Sequence, residues 1–255
     1  LMLLLASCSP AVLDDQDLLA YADQADAELI KHHIAVLSDD SLRGRLPGTP
    51  EYDLAMNYIV EQYKSMGITP LGDKAGSTYY QWMTLRTAIV DEAASYLLLN
   101  GSDTVAVGEE YFFQGNASVP EVEFEGELEL AGYGIEAPQF GYNDFENLDV
   151  AGKVVVVFTG GPDALPATER AHFSNTNTKI ETLSQKGALG IMFTNMPSGR
   201  GNFNSTFERV STSGIVNVKL SEGLYSGRSV FGNMKFVGYF DWEYLRTITD
   251  NEVDT

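Results

Sequence analysis

Two runs of apolar residues with different rhythms mark the middle of the chain. Between Glu121 and Leu130, Val122, Phe124, Leu128 and Leu130 alternate with Glu121, Glu123, Glu127 and Glu129. That period of two predicts a strand with one buried and one wet face. From Lys153 to Thr159 the chain reads Val-Val-Val-Val-Phe between Gly152 and Gly160. Without a polar face, this run predicts a central strand covered on both sides. The loop joining the two is rich in Gly, Pro, Tyr, Asn and Asp and holds neither His nor Cys.

Towards the N-terminus the period changes to that of a helix. Ile30, Ile34 and Leu37 predict a helix over 25–37, with His32 and His33 near its middle. Ser38 to Thr49 is a turn carrying Arg43 and Arg45, whose guanidinium groups suit fixing such a turn through carboxylates or backbone carbonyls. Thr49 as N-cap, Pro50 at the first helical position and Glu51 in the first turn begin a second helix, which Gly67 and Pro70 end. Its stripe is Tyr52, Ala55, Met56, Ile59, Tyr63 and Met66, a face that requires a partner. Residues 79–85 and 88–90 read as strands, and Asn100-Gly101 predicts a hairpin between residues 95–99 and 104–107. Beyond the central run the expectations are a polar loop over 160–177 carrying His172, a short helix over 178–186 with Ile180 and Leu183 on one side, and a buried strand over 189–193. A loop over 198–213, a strand over 215–220, an edge strand over 234–240 and an acidic, featureless end from Trp242 complete the chain. No internal repeat or low-complexity tract is visible.

Composition narrows the class. A chain of 255 residues with 44% apolar content can bury a core and is not disordered as a whole. Against 16 Lys and Arg stand 36 Asp and Glu, a formal charge of −20, which disfavours nucleic acid as a partner and suits solubility outside the cytoplasm. The single cysteine, Cys8, excludes a disulfide framework within the chain and a multi-thiolate metal site. It follows Leu1-Met-Leu-Leu-Leu5 and Ala6-Ser7, a run far shorter than the ~20 apolar residues of a membrane-spanning helix. This reads as the tail of a secretory signal whose basic region is expected to precede Leu1. Leu5-Ala6-Ser7-Cys8 resembles the lipobox of bacterial lipoproteins, which implies Cys8 as a lipidated N-terminus held at the membrane. The alternative is an ordinary signal with an incidental cysteine.

The run from Leu37 to Asp73, LSDDSLRGRLPGTPEYDLAMNYIVEQYKSMGITPLGD, resembles the N-terminal segment of secreted zinc aminopeptidases related to bacterial leucine aminopeptidase and glutamate carboxypeptidase. The match includes Leu37-Ser38-Asp39, Gly44-Arg45, Pro47-Gly48-Thr49, the stripe of the second helix and Met66-Gly67 leading to Pro70. In that family the segment packs on a catalytic α/β domain further along. The stretches GYGIEAPQFGYNDFENLDVAGKVVVVF and KIETLSQKGALGIMFTN look like the protease-associated (PA) domain inserted in many members. The resemblance implies a swivelling β/β/α fold there. It covers roughly 28–220, strongest within 121–195, and becomes poor after Ser221.

The family's chemistry is a two-zinc site of imidazoles and carboxylates that activates a bridging water, with a Glu as general base. The resemblance implies, in order, a His-x-Asp motif, an Asp-Asn motif, a Glu-Glu pair and a final His. His32, His33 and His172 are the only histidines, and none has Asp two residues later. Adjacent histidines on a helix point about 100° apart and do not chelate one ion together without other ligands. Glu109-Glu110 and Asp250-Asn251 imitate fragments of the pattern in the wrong order. Gly132-x-Gly134-x-x-Ala137 mimics a dinucleotide loop, but Pro138 and Gly141 stand where a phosphate-binding helix would continue, so a turn is expected. Around Ser229 the spacing is wrong for a nucleophile elbow, and no Walker-type Gly-Lys-Ser/Thr occurs.

These readings give an α+β chain: a helical N-terminal segment followed by a PA domain with a mixed sheet. The expected organisation is a signal remnant over 1–8, a tether over 9–24, the peptidase N-terminal segment over 25–117, the PA domain over 118–240 and a tail over 241–255. The expected function is that of the N-terminal and PA portion of a lipid-anchored zinc aminopeptidase of the bacterial cell envelope. Its partners are peptide or protein substrates and the membrane, with zinc and the catalytic residues in a domain outside this chain. The alternative is a non-catalytic PA-domain protein that binds peptide or protein.

Overall fold

The computed structural model describes residues 19, 20, 22, 25–196, 201–221, 224–226 and 231–249. Cys8, the signal-type run, Ser229 and Asp250-Asn251 lie outside the described residues. The chain divides into two units, Leu1–Trp82 and Met83–Thr255.

In the first unit, helix α1 (Ala27–Leu37) starts at Asp26, whose Oδ1 accepts from the Glu28 and Leu29 amides at 2.9 and 3.1 Å. A 3₁₀ turn (Asp40–Leu42) leads to helix α2 (Pro50–Ser65), capped as expected by Thr49 Oγ1 accepting from the Tyr52 amide at 3.3 Å. The end of α2 is a Schellman motif: Gly67, at φ 68°, turns the chain so that the Ile68 amide donates to Tyr63 O and its own amide to Lys64 O. His33 Nδ1 lies 2.6 Å from Tyr58 Oη and ties α1 to α2. Burial differs from the predicted stripes. Leu42, Ala55 and Val60 are buried, whereas Ile30, Ile34, Tyr63 and Met66 are exposed. Short helix α3 (Asp73–Gly76) follows, and of the strand expected over 79–85 residues 79–83 are irregular. Tyr79 and Tyr80 hydroxyls there bond to Ile68 O and Asn57 Oδ1.

The second unit is built on a mixed sheet. Its strands are β4 (Tyr111–Phe113), β5 (Leu128–Leu130), β8 (Val154–Phe158), β9 (Gly190–Thr194) and β12 (Phe236–Phe240), in the order β4-β12-β9-β8-β5. The last four run parallel and β4 is antiparallel at one edge. The all-apolar run is thus an interior strand, Val154–Val157 being buried on both faces. Val155, Val157, Ile191, Phe193 and Val237 face one layer with Ile180 and Leu183 of α5 (Thr176–Gln185) and Phe203 and Val210 of α6 (Phe203–Ser213). Val154, Val156, Met192, Phe236 and Phe240 face the other, with Tyr111 and with Leu245 of α7 (Trp242–Ile248).

Strands β1 (Thr84–Ala88), β10 (Ile215–Ser221) and β11 (Leu224–Ser226) form a separate antiparallel sheet. The Asn100-Gly101 hairpin joins β2 (Leu98–Leu99) to β3 (Asp103–Thr104), with φ of 51° and 74° at the two turn residues. Two-residue strands β6 (Glu136–Ala137) and β7 (Tyr142–Asn143) close the loop after β5.

Several expectations are corrected here. The alternating run becomes a strand only from Leu128 to Leu130; residues 121–127 lie outside any strand, with Glu127 O accepting from the Val154 amide at 2.8 Å and Val122 exposed. The polar stretch 160–177 contains helix α4 (Ala167–Phe173), which carries His172. Residues 203–213 form α6 rather than a loop, with Asn202 Oδ1 capping the Ser205 amide at 3.1 Å. The strand expected at an edge, β12, lies inside the sheet between β4 and β9, with all five residues buried. The featureless end starts with α7, capped by Asp241.

Candidate functional site

The four parallel strands end on one edge of the sheet, at Leu130, Phe158, Thr194 and Phe240, and polar side chains gather there. Open parallel sheets bind ligands at such edges where the strand order reverses. Here the order β5-β8-β9-β12 runs in one direction and leaves no such switch point. The edge is instead closed by its own polar groups.

Lys179, in the first turn of α5, is only 1% exposed. Its Nζ donates to Phe158 O at 2.7 Å and Gly160 O at 2.6 Å, and sits 5.5 Å from the centre of the Tyr133 ring. Burial pulls the ammonium down to about 7, opposed by the Asp144 carboxylate. Asp144 anchors the loop after β5, since Oδ2 accepts from the Ile135 amide at 2.9 Å and Oδ1 from Tyr142 Oη at 2.8 Å. Burial raises its carboxyl above the ordinary range, against the bonds it accepts, and burial with the Asp144 charge also raises the Tyr142 phenol. Gly132, at φ 48°, lets the backbone pass beside Asp144, where a Cβ would lie 2.6 Å from Oδ1. Thr159 Oγ1 bonds Asn195 Oδ1 at 2.6 Å across the ends of β8 and β9. This network positions a loop. It contains no nucleophile paired with a base.

Lys179 was not singled out from sequence, although a signal existed. It stands four residues before Leu183, on the helix face that reaches the core, where an ionisable side chain must find partners.

The residues that sequence did single out are scattered. His32 is exposed beside His33, with ring centres 5.9 Å apart and tilted by 55°, and His33 is engaged by Tyr58. His172 packs edge-on to Phe173. Glu110 Oε2 accepts from the Ala106 amide at 2.5 Å and serves the turn before β4. Among the described residues, no group of three His, Cys, Asp or Glu side chains is placed to hold a metal ion. These residues do not fit zinc. Gly132 and Gly134 lie in a tight turn, with the Gly134 amide donating to Ala131 O at 2.7 Å. Arg43 reaches Glu51 at 3.6 Å through a single contact, and both it and Arg45 hold positive φ, 44° and 55°. Arg45 borders an open groove with Ile30, His33, Ile34, Leu37 and Ser38.

Comparison with known proteins adds little to this geometry. No family model matches the chain, and no curated protein matches it. Among solved structures the chain is similar to an aminopeptidase from Aneurinibacillus sp. strain AM-1, with 17% identity and a TM-score of 0.42. The match covers 91% of this chain and 42% of that one, so the chain spans less than half the length of that protein. A likeness at this level says nothing about chemistry.

Proposed function

We propose that this chain is the N-terminal and protease-associated portion of a secreted, lipid-anchored zinc aminopeptidase. In this reading the part described here holds no metal ligands and helps present peptide or protein substrates. The observation that carries it is the run from Leu37 to Asp73. There the turn Gly44-Arg45, the Pro47-Gly48-Thr49 cap and the Met66-Gly67 ending resemble the family segment in order and spacing. The PA-like stretches support it, since both fall on the parallel core of the second unit and contribute β8, α5 and β9. A swivelling β/β/α type for that unit belongs to the same proposal, as does Cys8 as the lipidated anchor in the cell envelope.

Zinc chemistry belongs here to residues beyond those described. It would supply a metal-activated water for hydrolysis of the N-terminal peptide bond. The deciding experiment uses the protein encoded by the continuous reading frame, expressed with labelled palmitate in a bacterial host. Stoichiometric zinc, chelator-sensitive hydrolysis of aminoacyl nitroanilides and label lost on Cys8→Ser are the expected results. Peptide binding without tightly held zinc or hydrolysis would replace this reading with that of a non-catalytic binding protein. Label that persists in the Cys8→Ser variant would remove the anchor.

A further inference from the structure

The five-stranded sheet blunts one of its edges and leaves the other open. At the β4 edge the outward groups of Tyr111 are taken by the preceding turn. Its amide donates to Ala106 O at 3.3 Å and its carbonyl accepts from the Gly108 amide at 2.8 Å. At the β5 edge Glu127 O accepts from the Val154 amide at 2.8 Å, and the Ala131 amide donates to Val156 O at 3.0 Å. With Glu129 opposite Val155, these alternate residues turn their backbone groups towards β8. The N–H and C=O groups of Leu128 and Leu130 therefore point away from the sheet, and among the described residues no hydrogen bond reaches them. An unpaired row of this kind is a template for a further strand.

The side chains at this edge define what suits it. Leu128 and Leu130 share the face of Val154 and Val156, where Leu130 packs on the apolar layer and Leu128 remains 40% exposed. The opposite face, that of Val155, carries Glu129, which bonds Lys153. Glu127 and Asp149 also act on that ammonium, so three carboxylates meet one cation. Glu121, Glu123, Glu125 and Glu127, leading into the strand, are all exposed. Pairing two copies of this edge would bring these like charges together in a chain of net charge −20, which opposes it. A cationic strand is attracted by the same charges.

We propose that β5 is a docking edge for an extended peptide segment in which apolar residues alternate with lysine or arginine. The segment adds a strand beside β5, its backbone pairing with the outward groups of Leu128 and Leu130. Its apolar side chains cover Leu128, and its cationic side chains, on the other face, reach Glu127 and Glu129. Leu128 and Leu130 offer only two donors and two acceptors between them, so the contact is weak and the side chains select the partner. Strand addition requires neither metal nor hydrolysis, so it stands or falls separately from the zinc-peptidase reading.

The test titrates the 255-residue chain with a synthetic peptide of alternating valine and lysine and follows amide exchange by NMR. In the free chain the Leu128 and Leu130 amides are expected to exchange almost unprotected, unlike that of Ala131. Peptide at about ten times its Kd should slow both by about tenfold. A peptide of the same sequence N-methylated along its backbone, which keeps the charge and loses the pairing, should leave them unprotected, as should one of alternating valine and glutamate. Glu127→Lys should weaken binding by about fivefold. Leu128→Pro removes an outward donor and none that serves β8, and should leave Leu130 unprotected by the peptide. If that variant does not fold, the N-methylated peptide on the unaltered chain decides. Leu128 and Leu130 amides already protected in the free chain, or unchanged by the valine–lysine peptide, would overturn the docking edge. So would equal protection by the N-methylated or the acidic peptide. Protection that grows with protein concentration alone would give the edge to a second copy and overturn it as well.

Discussion

Gly190 shows how the lack of a side chain at one position sets the packing of the sheet. It opens β9 on the face of Phe236, its partner in the parallel register with β12. A Cβ there would stand 2.5 Å from Phe236 Cζ and 2.7 Å from Cδ1. The ring has nowhere to retreat, being stacked on Phe124 at 4.1 Å and edge-on to Phe113 at 5.2 Å. Gly190→Ala is therefore expected to cost about 1–3 kcal/mol, as overpacking does in a filled core. A double-mutant cycle with Phe236→Leu, read by denaturant unfolding, should recover part of that loss. Additive costs would mean that the ring is not what the methyl meets. A lone glycine in an apolar run is a legible sign of close approach, although the sequence does not say which residue approaches. Lys179 is the harder case: its i, i+4 relation to Leu183 places it inward, but the carbonyls that receive it come from a strand end twenty residues away, which no local pattern reveals.

Among the elements, those with both a cap and a terminator were the legible ones. Thr49, Pro50 and Gly67 define α2 within a residue, and Asn100-Gly101 fixes its hairpin, because both rest on backbone conformations that few residues adopt. Helix α6 was not read because Ser, Thr and Asn fill it. Yet Phe203, Phe207 and Val210 follow a helical spacing behind the Asn202 cap, and Phe203 and Val210 are buried against the sheet. Strand β12 looked like an edge because nothing in a five-residue run tells how many neighbours it has; its place was decided by β4, which joins it from far away in sequence. In α2 the cap carries more weight than in a core helix, since only Ala55 and Val60 of that helix are buried. Thr49→Ala should lower the stability of its first turn by about 1 kcal/mol. That is roughly a fivefold rise in exchange at the first-turn amides, with β9 unaffected. Unchanged exchange in α2 would show that Thr49 caps nothing of consequence.

For the molecule as a whole, the net charge of −20 and the distribution of apolar surface pull against each other. The register of β1 with β10 sets Leu85 opposite Val218 and Thr87 opposite Val216, so these residues share one face of their sheet. The other face presents Ile215 and Asn217, both buried. On the first face Leu85 and Val216 are exposed, Met83 and Ile89, one alternate position beyond either end of β1, are exposed as well, and so is Leu220 at the irregularity where β10 pairs with β11. Exposed apolar side chains of this kind favour association, and a strong like charge on every copy opposes it. Salt should shift that balance, because screening shortens the repulsion to about 3 Å at 1 M while leaving the apolar attraction intact. The chain is thus expected to self-associate more as salt is raised, in sedimentation or light scattering. Val216→Thr together with Leu220→Thr should suppress the effect while changing unfolding stability by no more than about 0.5 kcal/mol, as for exposed positions that tolerate β-branched residues. A stability loss of about 2 kcal/mol or more would show that this face is packed within the chain itself. Salt-dependent association that survives the double substitution would place the responsible surface elsewhere, with the exposed Ile30 and Ile34 of α1 the next to alter.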